Sequence, residues 1–373
     1  MTKLIPSALL VGGLIASCAG TSFAQSSVQI AGQLGVGVGV KNHQGPGDGS
    51  VTEVTDNLMK ASWLRISGIE DLGGGMSAMF RLESGLSADT GTAGGTGQGA
   101  TLASPKFWNR NATVGLRWAD IGVLSAGRQF HSSTDRAIET LDVNQLSAAH
   151  VAYAPVGYFG VNRYNGFDTR VDNSIKFRYK KPNVIEFGFS AAPGEGTAGR
   201  NYSAEIAHTS STLNVGAIFA HFDANAQLAN GHKPAYEFWG IGGNVKFGSV
   251  QPYIAYYHNA LDSATLLGRP QQVNEIISLG VAWDASAQTR FTAAYYNDRG
   301  TGLNNVLGRD GTKNTWILAG YYYLSKRTEL YVAAHNNAFL DGYRLETVNL
   351  STLNRTASEG RVSGLSTGIR HNF

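Results

Sequence analysis

Thr315-Trp316-Ile317-Leu318-Ala319-Gly320-Tyr321-Tyr322-Tyr323-Leu324 alternates in character, with Trp, Leu, Gly, Tyr and Leu at the even positions. The end of the chain repeats the pattern. Leu365, Thr367, Ile369, His371 and Phe373 share one parity, and Ser366, Gly368, Arg370 and Asn372 the other. In 62–68, Leu64 and Ile66 alternate with Trp63, Arg65 and Ser67. Side chains of a strand point to its two faces in turn, so each segment sets a greasy face against a wet one. That arrangement suits a strand standing between lipid and water.

The connections carry the second signal. Tight turns are expected at 71–74, 120–122, 181–183, 210–211, 248–249, 284–286 and 325–327. Longer polar stretches at 42–57, 88–106, 194–200, 223–233, 262–272, 299–313 and 341–360 lie between them. Alternation of short and long connections describes an up-and-down barrel with one short-turn rim and one long-loop rim. The spacing gives about sixteen strands of roughly 9–13 residues, enough for a tilted crossing. The fold class expected is therefore all-β: a transmembrane antiparallel barrel. One connection, between Phe130 and Arg170, is far longer than the rest and contains a short helical stretch at 135–141; long connections of this kind are usually functional.

Composition agrees. The chain has 373 residues with Gly 47, Tyr 16, Phe 16 and Trp 6 against Met 4, a bias towards turns, bulges and aromatic strand surfaces. Net charge is +3 and no block of one sign occurs, which argues against nucleic acid as a partner. No run of 18 apolar residues follows the N-terminal segment, so no transmembrane helix is expected.

Residues 1–24 read as a secretory signal peptide, with Lys3 at its positive end, an apolar centre and Ser22-Phe23-Ala24 as a small-x-small cleavage site. The stretch Ile15-Ala16-Ser17-Cys18 also loosely matches a lipoprotein-processing site. Cleavage after Ala24 removes Cys18, the single cysteine, leaving 25–373 as one barrel domain with neither disulfide nor thiolate metal site. The nine histidines are dispersed, and neither a nucleophile elbow nor a phosphate loop is present. No cofactor, no metal and no enzymatic activity are expected.

Several segments resemble the Gram-negative general porins of the β-proteobacterial and neisserial type: Gly68-Ile69-Glu70-Asp71-Leu72-Gly73-Gly74-Gly75-Met76-Ser77-Ala78-Met79-Phe80-Arg81-Leu82-Glu83-Ser84-Gly85, then Gly127-Arg128-Gln129, Arg170-Val171-Asp172-Asn173-Ser174-Ile175-Lys176, Leu324-Ser325-Lys326-Arg327-Thr328-Glu329-Leu330-Tyr331 and Gly368-Ile369-Arg370-His371-Asn372-Phe373. The resemblance implies a trimeric, water-filled barrel of sixteen strands whose third external loop, 130–164, folds inward as a constriction. It implies passive diffusion of small hydrophilic solutes and ions in the outer membrane, with a substrate-selective channel as the alternative. Implied partners are identical subunits, outer-membrane lipid and lipopolysaccharide. The family's basic residue after the serine of the second strand is replaced here by Trp63, with Arg65 two positions on.

A diffusion pore needs charges at its narrowest point rather than a catalytic set. Parity places Arg65, Arg81 and Arg117 on the lumen face, and Glu83 joins the candidates. Asp135, Glu139 and Asp142 on the loop are expected to face them with opposite sign, with Arg136 adding a positive charge. Arg128 shares the outward parity of Leu124 and Ala126 unless a bulge intervenes. An excess of lumen arginine leads to an expected weak preference for anions. Phe373, ending the last strand, is the expected signal to the barrel-assembly machinery.

Overall fold

The computed structural model describes residues 27–44, 47, 49–56, 59–93, 106–144, 170–195 and 199–373. The segment read as a signal peptide, 1–24, and positions 145–164 of the expected constriction loop lie outside the described residues.

The strands are β1 Ser27–Gln44, β2 Gly49–Asp56, β3 Ser62–Gly73, β4 Met76–Ser87, β5 Thr92–Ala93, β6 Asn111–Trp118, β7 Gly122–Phe130, β8 Arg170–Tyr179 and β9 Glu186–Ala192. They continue as β10 Asn201–Thr209, β11 Leu213–Asp223, β12 Ala235–Val245, β13 Val250–Leu261, β14 Gln272–Asp284, β15 Thr289–Thr301, β16 Gly311–Tyr323, β17 Thr328–Asp341 and β18 Arg361–Asn372. All pairings are antiparallel, and β18 returns to β1, so the sheet closes. β2 and β3 both pair with β1, one above the other, and form a single stave. β5 is a two-residue piece within a loop. Sixteen staves result, as the turn spacing predicts.

Closure explains the burial pattern. A barrel has no unpaired edge, so its backbone is satisfied even where lipid supplies no partners. Along β13 and β14, Ile254, Ile277, Leu279 and Val281 point outward and are exposed, while Ala255, Ile276 and Ala282 are buried inside. The exposed residues form the surface that acyl chains cover. Trp283 lies against Phe291 with ring centroids 5.6 Å apart near the short-turn rim, and Tyr295 against Trp316 at 4.4 Å higher up. Both pairs lie on the outer face, where aromatic girdles belong. Tyr253 instead turns inward, into the buried cluster that contains Val143. Among the described residues no helix is long and apolar enough to cross a membrane.

One connection differs from expectation. The sequence predicts a long loop over 42–57, yet β1 runs to Gln44 and Gly49–Asp56 forms β2. β2 pairs with Val36–Lys41 of β1, the stretch that pairs on its other side with Gly364–Ile369 of β18. The true interruption falls between β2 and β3.

Candidate functional site

The long connection after β7 folds into the barrel. His131 caps α1 (Ser132–Arg136), its ring accepting from the Thr134 amide, and the chain continues as a wider turn over Ala137–Leu141. The helix thus begins three residues before the expected stretch. Ser132 Oγ and Ser190 Oγ both lie against Ser203 Oγ, at 2.9 and 2.8 Å, which moors the top of the helix to β9 and β10. Lower down, Arg136 reaches Glu186, the first residue of β9, and Thr140 accepts from Asn244 near the end of β12. The segment therefore descends from the long-loop rim towards the short-turn rim along the inner wall.

Charge holds it there. Arg136 Nε donates to Glu205 Oε2 at 2.6 Å and Nη2 to Glu186 Oε2 at 2.7 Å. Lys176 Nζ donates to Asp135 at 2.6 Å. Arg178 embraces Glu139 with both terminal nitrogens, at 3.0 and 2.9 Å, and donates through Nε to Glu205 at 2.5 Å. Lys180 adds a third contact to Glu139 at 2.6 Å. Four cations and four carboxylates thus cancel, and bidentate pairs of this kind are both strong and directional. Asp142 accepts from Tyr296 Oη at 2.9 Å and is buried.

This corrects the expectation that Asp135, Glu139 and Asp142 face the arginines across the opening. They face the wall behind them, because the helix docks through the same side chains. Arg136 likewise is a mooring residue with only 1% of its surface exposed. Lys176, Arg178, Lys180, Glu186 and Glu205 were missed in the sequence. Their lumen parity on β8 to β10 is readable, but nothing in it shows which loop residue they meet.

The opposite wall is different. Arg65 pairs in register with Glu83, and Ser67 with Arg81, across β3 and β4. Glu83 is buried and accepts from Arg81 Nη2 at 2.5 Å and from Arg110 Nε at 2.7 Å. Arg65 lies over the Trp63 ring, 5.0 Å from its centroid, and its buried Nε has no hydrogen-bond partner. Two guanidinium groups, of Arg81 and Arg110, therefore share one carboxylate, and a third, of Arg65, stands in register beside it. Arg110, in the approach to β6, was not foreseen; it precedes the strand, where parity has no meaning.

Two candidates lie elsewhere. Arg117 pairs with Ser77 one residue from the short turn, beside Asp71 and Ala119, so its parity is right but it stands at the rim. Arg128 pairs with Ala112, in the outward row of Val114. A bulge intervenes here: the register with β8 shifts between Gly127 and Gln129, Gly127 has a φ of 121°, and Arg128 is buried. It donates to Asn109 O and to Asp172 Oδ1, both at 2.7 Å, and Asp172 also pairs with Lys106.

The loop before β18 also turns in. Its short helix α2 (Thr347–Leu353) brings Asn349 to Lys313 at 2.8 Å, and Arg355 stacks 3.9 Å from the Phe339 ring centroid. The polar composition of 341–360 gives no sign of this, although Tyr343 and Leu353 join a buried cluster with Phe339 and Val362.

The family model described as Gram-negative porin matches residues 8–339 of the chain. An outer membrane porin protein of Bordetella pertussis is 24% identical, covering 98% of this chain and 99% of that one. Among solved structures, an anion-selective porin from Comamonas acidovorans superposes with a TM-score of 0.73 at 20% identity, covering 94% of this chain and all of the other. The trimer form of OmpT from Vibrio cholerae gives 0.65 at 14% identity, with 93% and 99% covered. At these identities the structural likeness concerns the fold.

Proposed function

The chain belongs to the Gram-negative porin family, an outer-membrane barrel for passive diffusion of small hydrophilic solutes, and from that premise we propose that its pore prefers anions. One observation carries the preference: Arg81 and Arg110 share a single carboxylate, Glu83, with Arg65 in register beside it, while the four cations and four carboxylates that dock the described part of the loop cancel. A lumen with surplus fixed positive charge raises the local concentration of anions and speeds their entry. The Comamonas porin, described as anion-selective, is a parallel from a relative of like fold.

The finer assignments follow the same reading. Residues 1–24 act as the signal peptide, and 130–164 as the constriction loop, of which 131–144 line the inner wall. The segment 68–85 supports a kinship with the β-proteobacterial and neisserial porins. The working unit is a homotrimer in lipid and lipopolysaccharide, as the trimer form of OmpT suggests, and Phe373 addresses the chain to the assembly machinery. The deciding experiment is the reversal potential of the purified oligomer in a potassium chloride gradient. Chloride preference supports the reading, and potassium preference refutes it.

A further inference from the structure

The inward row of β3 sets an aromatic ring among cations. Leu64 and Ile66 take the outward row, so Trp63 and Arg65 share the face turned to the lumen. Arg65 pairs in register with Glu83 and Ser67 with Arg81, which puts Arg81 on the diagonal of Arg65, within reach of a long side chain. Trp63 itself pairs with Gly85. Glycine brings no side chain there, and the stem of Arg110 takes the room, its Cδ lying 3.5 Å from where a Cβ on Gly85 would stand. The indole thus has Arg65 beside it along the strand and Arg110 beside it across the sheet.

Within this cluster the cations are unequally engaged. Both oxygens of Glu83 are taken, Oε2 by Arg81 and Oε1 by Arg110. Arg65 has no ion pair among the described residues. It rests over the indole instead, 5.0 Å from the ring centroid, and Nε alone of its nitrogens is both buried and without a partner. Stacking of this kind holds the guanidinium plane without using its terminal nitrogens. Arg65 is half-buried, and 44% of the Arg81 side chain is exposed. Each keeps terminal nitrogens that water in the lumen reaches.

Two different chemistries therefore meet on one patch of wall. A guanidinium offers its nitrogens in a plane that matches the two oxygens of a carboxylate. The indole offers apolar area, and being half-buried it still has some to cover. Aromatic rings packed offset or edge-on, with centroids about 4.5–7 Å apart, gain more than the area they bury. Chloride would use the charge and leave the indole idle. A solute that joins a carboxylate to an aromatic ring engages both.

We propose that Trp63, Arg65 and Arg81 form a subsite for aromatic carboxylates, in which the guanidinium groups take the carboxylate and the indole takes the ring. This rests on the channel reading above and deepens it from sign of charge to class of solute. The test is single-channel current through the purified oligomer in potassium chloride, with benzoate or acetate added separately. The two carry the same charge, and benzoate is expected to block at the lower concentration. Trp63→Leu is expected to raise the half-blocking concentration of benzoate about fivefold, the scale of one aromatic pair, and to leave that of acetate unchanged. Trp63→Phe, which keeps a ring, is expected to retain the preference. Arg65→Gln is expected to raise the value for both anions about tenfold, the loss of one charged hydrogen bond. Equal block of the native channel by benzoate and acetate overturns the subsite whether or not any variant folds, and so does a benzoate preference that survives Trp63→Leu. Potassium preference in a salt gradient, beside a benzoate block that depends on Trp63, would sink the anion preference and leave the subsite standing. A folded oligomer that conducts nothing removes the channel reading and the subsite together.

Discussion

Arg136 and Glu205 meet 2.6 Å apart, one on the inward loop and the other on the barrel wall, with the guanidinium almost wholly buried. Glu186 takes a second nitrogen of the same group. Arg136→Ala would leave Glu186 buried without its cation and Glu205 with Arg178 alone, and removing one partner of a buried pair costs about 3–5 kcal/mol. We expect a lower unfolding temperature by circular dichroism in detergent, together with a noisier open-channel current as the loop comes away. Arg136→Lys should recover only part, because an ammonium cannot serve both acids in one plane. An unchanged melting curve and a quiet current for the alanine variant would show that the loop is moored elsewhere.

Acid should loosen the same loop through Glu139. Burial pushes its carboxyl up, but the hydrogen bonds and charge of Arg178, with those of Lys180, pull it further down, to about 2 from 4.5. A group whose value falls on folding adds stability above its unfolded value and loses it as pH drops through the folded one. Docking is therefore expected to weaken between pH 4.5 and about 2. Because other acids titrate nearby, the measurement is a difference: current noise against pH for the native channel and for Glu139→Gln. The variant should already be noisier at neutral pH and change less on acidification. Parallel curves would remove Glu139 from the account.

The face of each strand was legible in the sequence, and its depth was not. Leu64 and Ile66 against Arg65, or Ile369 against Arg370, reveal lipid and lumen by period alone, since a sheet permits only two faces. Arg117 obeys the same rule, yet stands at the rim, because alternation says nothing about position along a strand. β2 escaped notice because Gly49–Asp56 alternates too weakly, with Ser50, Thr52, Val54 and Asp56 against Val51, Glu53 and Thr55, to show a greasy row. The loop acids were harder still. Asp135 and Glu139 are four residues apart on one turn of helix, and which wall that turn meets depends on Lys176 and Arg178, some forty residues away.

Selectivity should move in both directions when the arginine wall is edited. Arg65→Gln and Arg81→Gln each remove a positive charge near the lumen, and the chloride-to-potassium permeability ratio should fall by about twofold for each, a modest local field effect. Glu83→Gln removes the carboxylate that Arg81 and Arg110 share and should raise the ratio. Arg117→Gln, at the short-turn rim, should alter it least. The check is reversal potential at low and high salt, since the shifts should shrink as screening grows. If Arg117→Gln changes the ratio as much as Arg81→Gln, the selectivity does not reside on that wall.

Phe373 closes the barrel against Gly32. The two exchange backbone hydrogen bonds of 3.0 and 3.1 Å, and the ring lies so close that a Cβ on Gly32 would come within 2.3 Å of its Cζ. Removing the ring by Phe373→Ala strips apolar surface from the seam, which costs about 1.5–3 kcal/mol for a fully buried side chain and less here, where the ring is partly exposed. That variant should melt earlier after refolding in detergent. The proposed role as an assembly signal makes a separate demand. A short charged extension after Phe373 leaves the ring and its hydrogen bonds in place, so the purified protein should refold and melt normally. In cells, however, the amount of folded barrel recovered from the outer membrane should drop sharply. Normal recovery of the extended protein would reduce Phe373 to a residue of the seam, because the terminus would then be readable to the cell without being free.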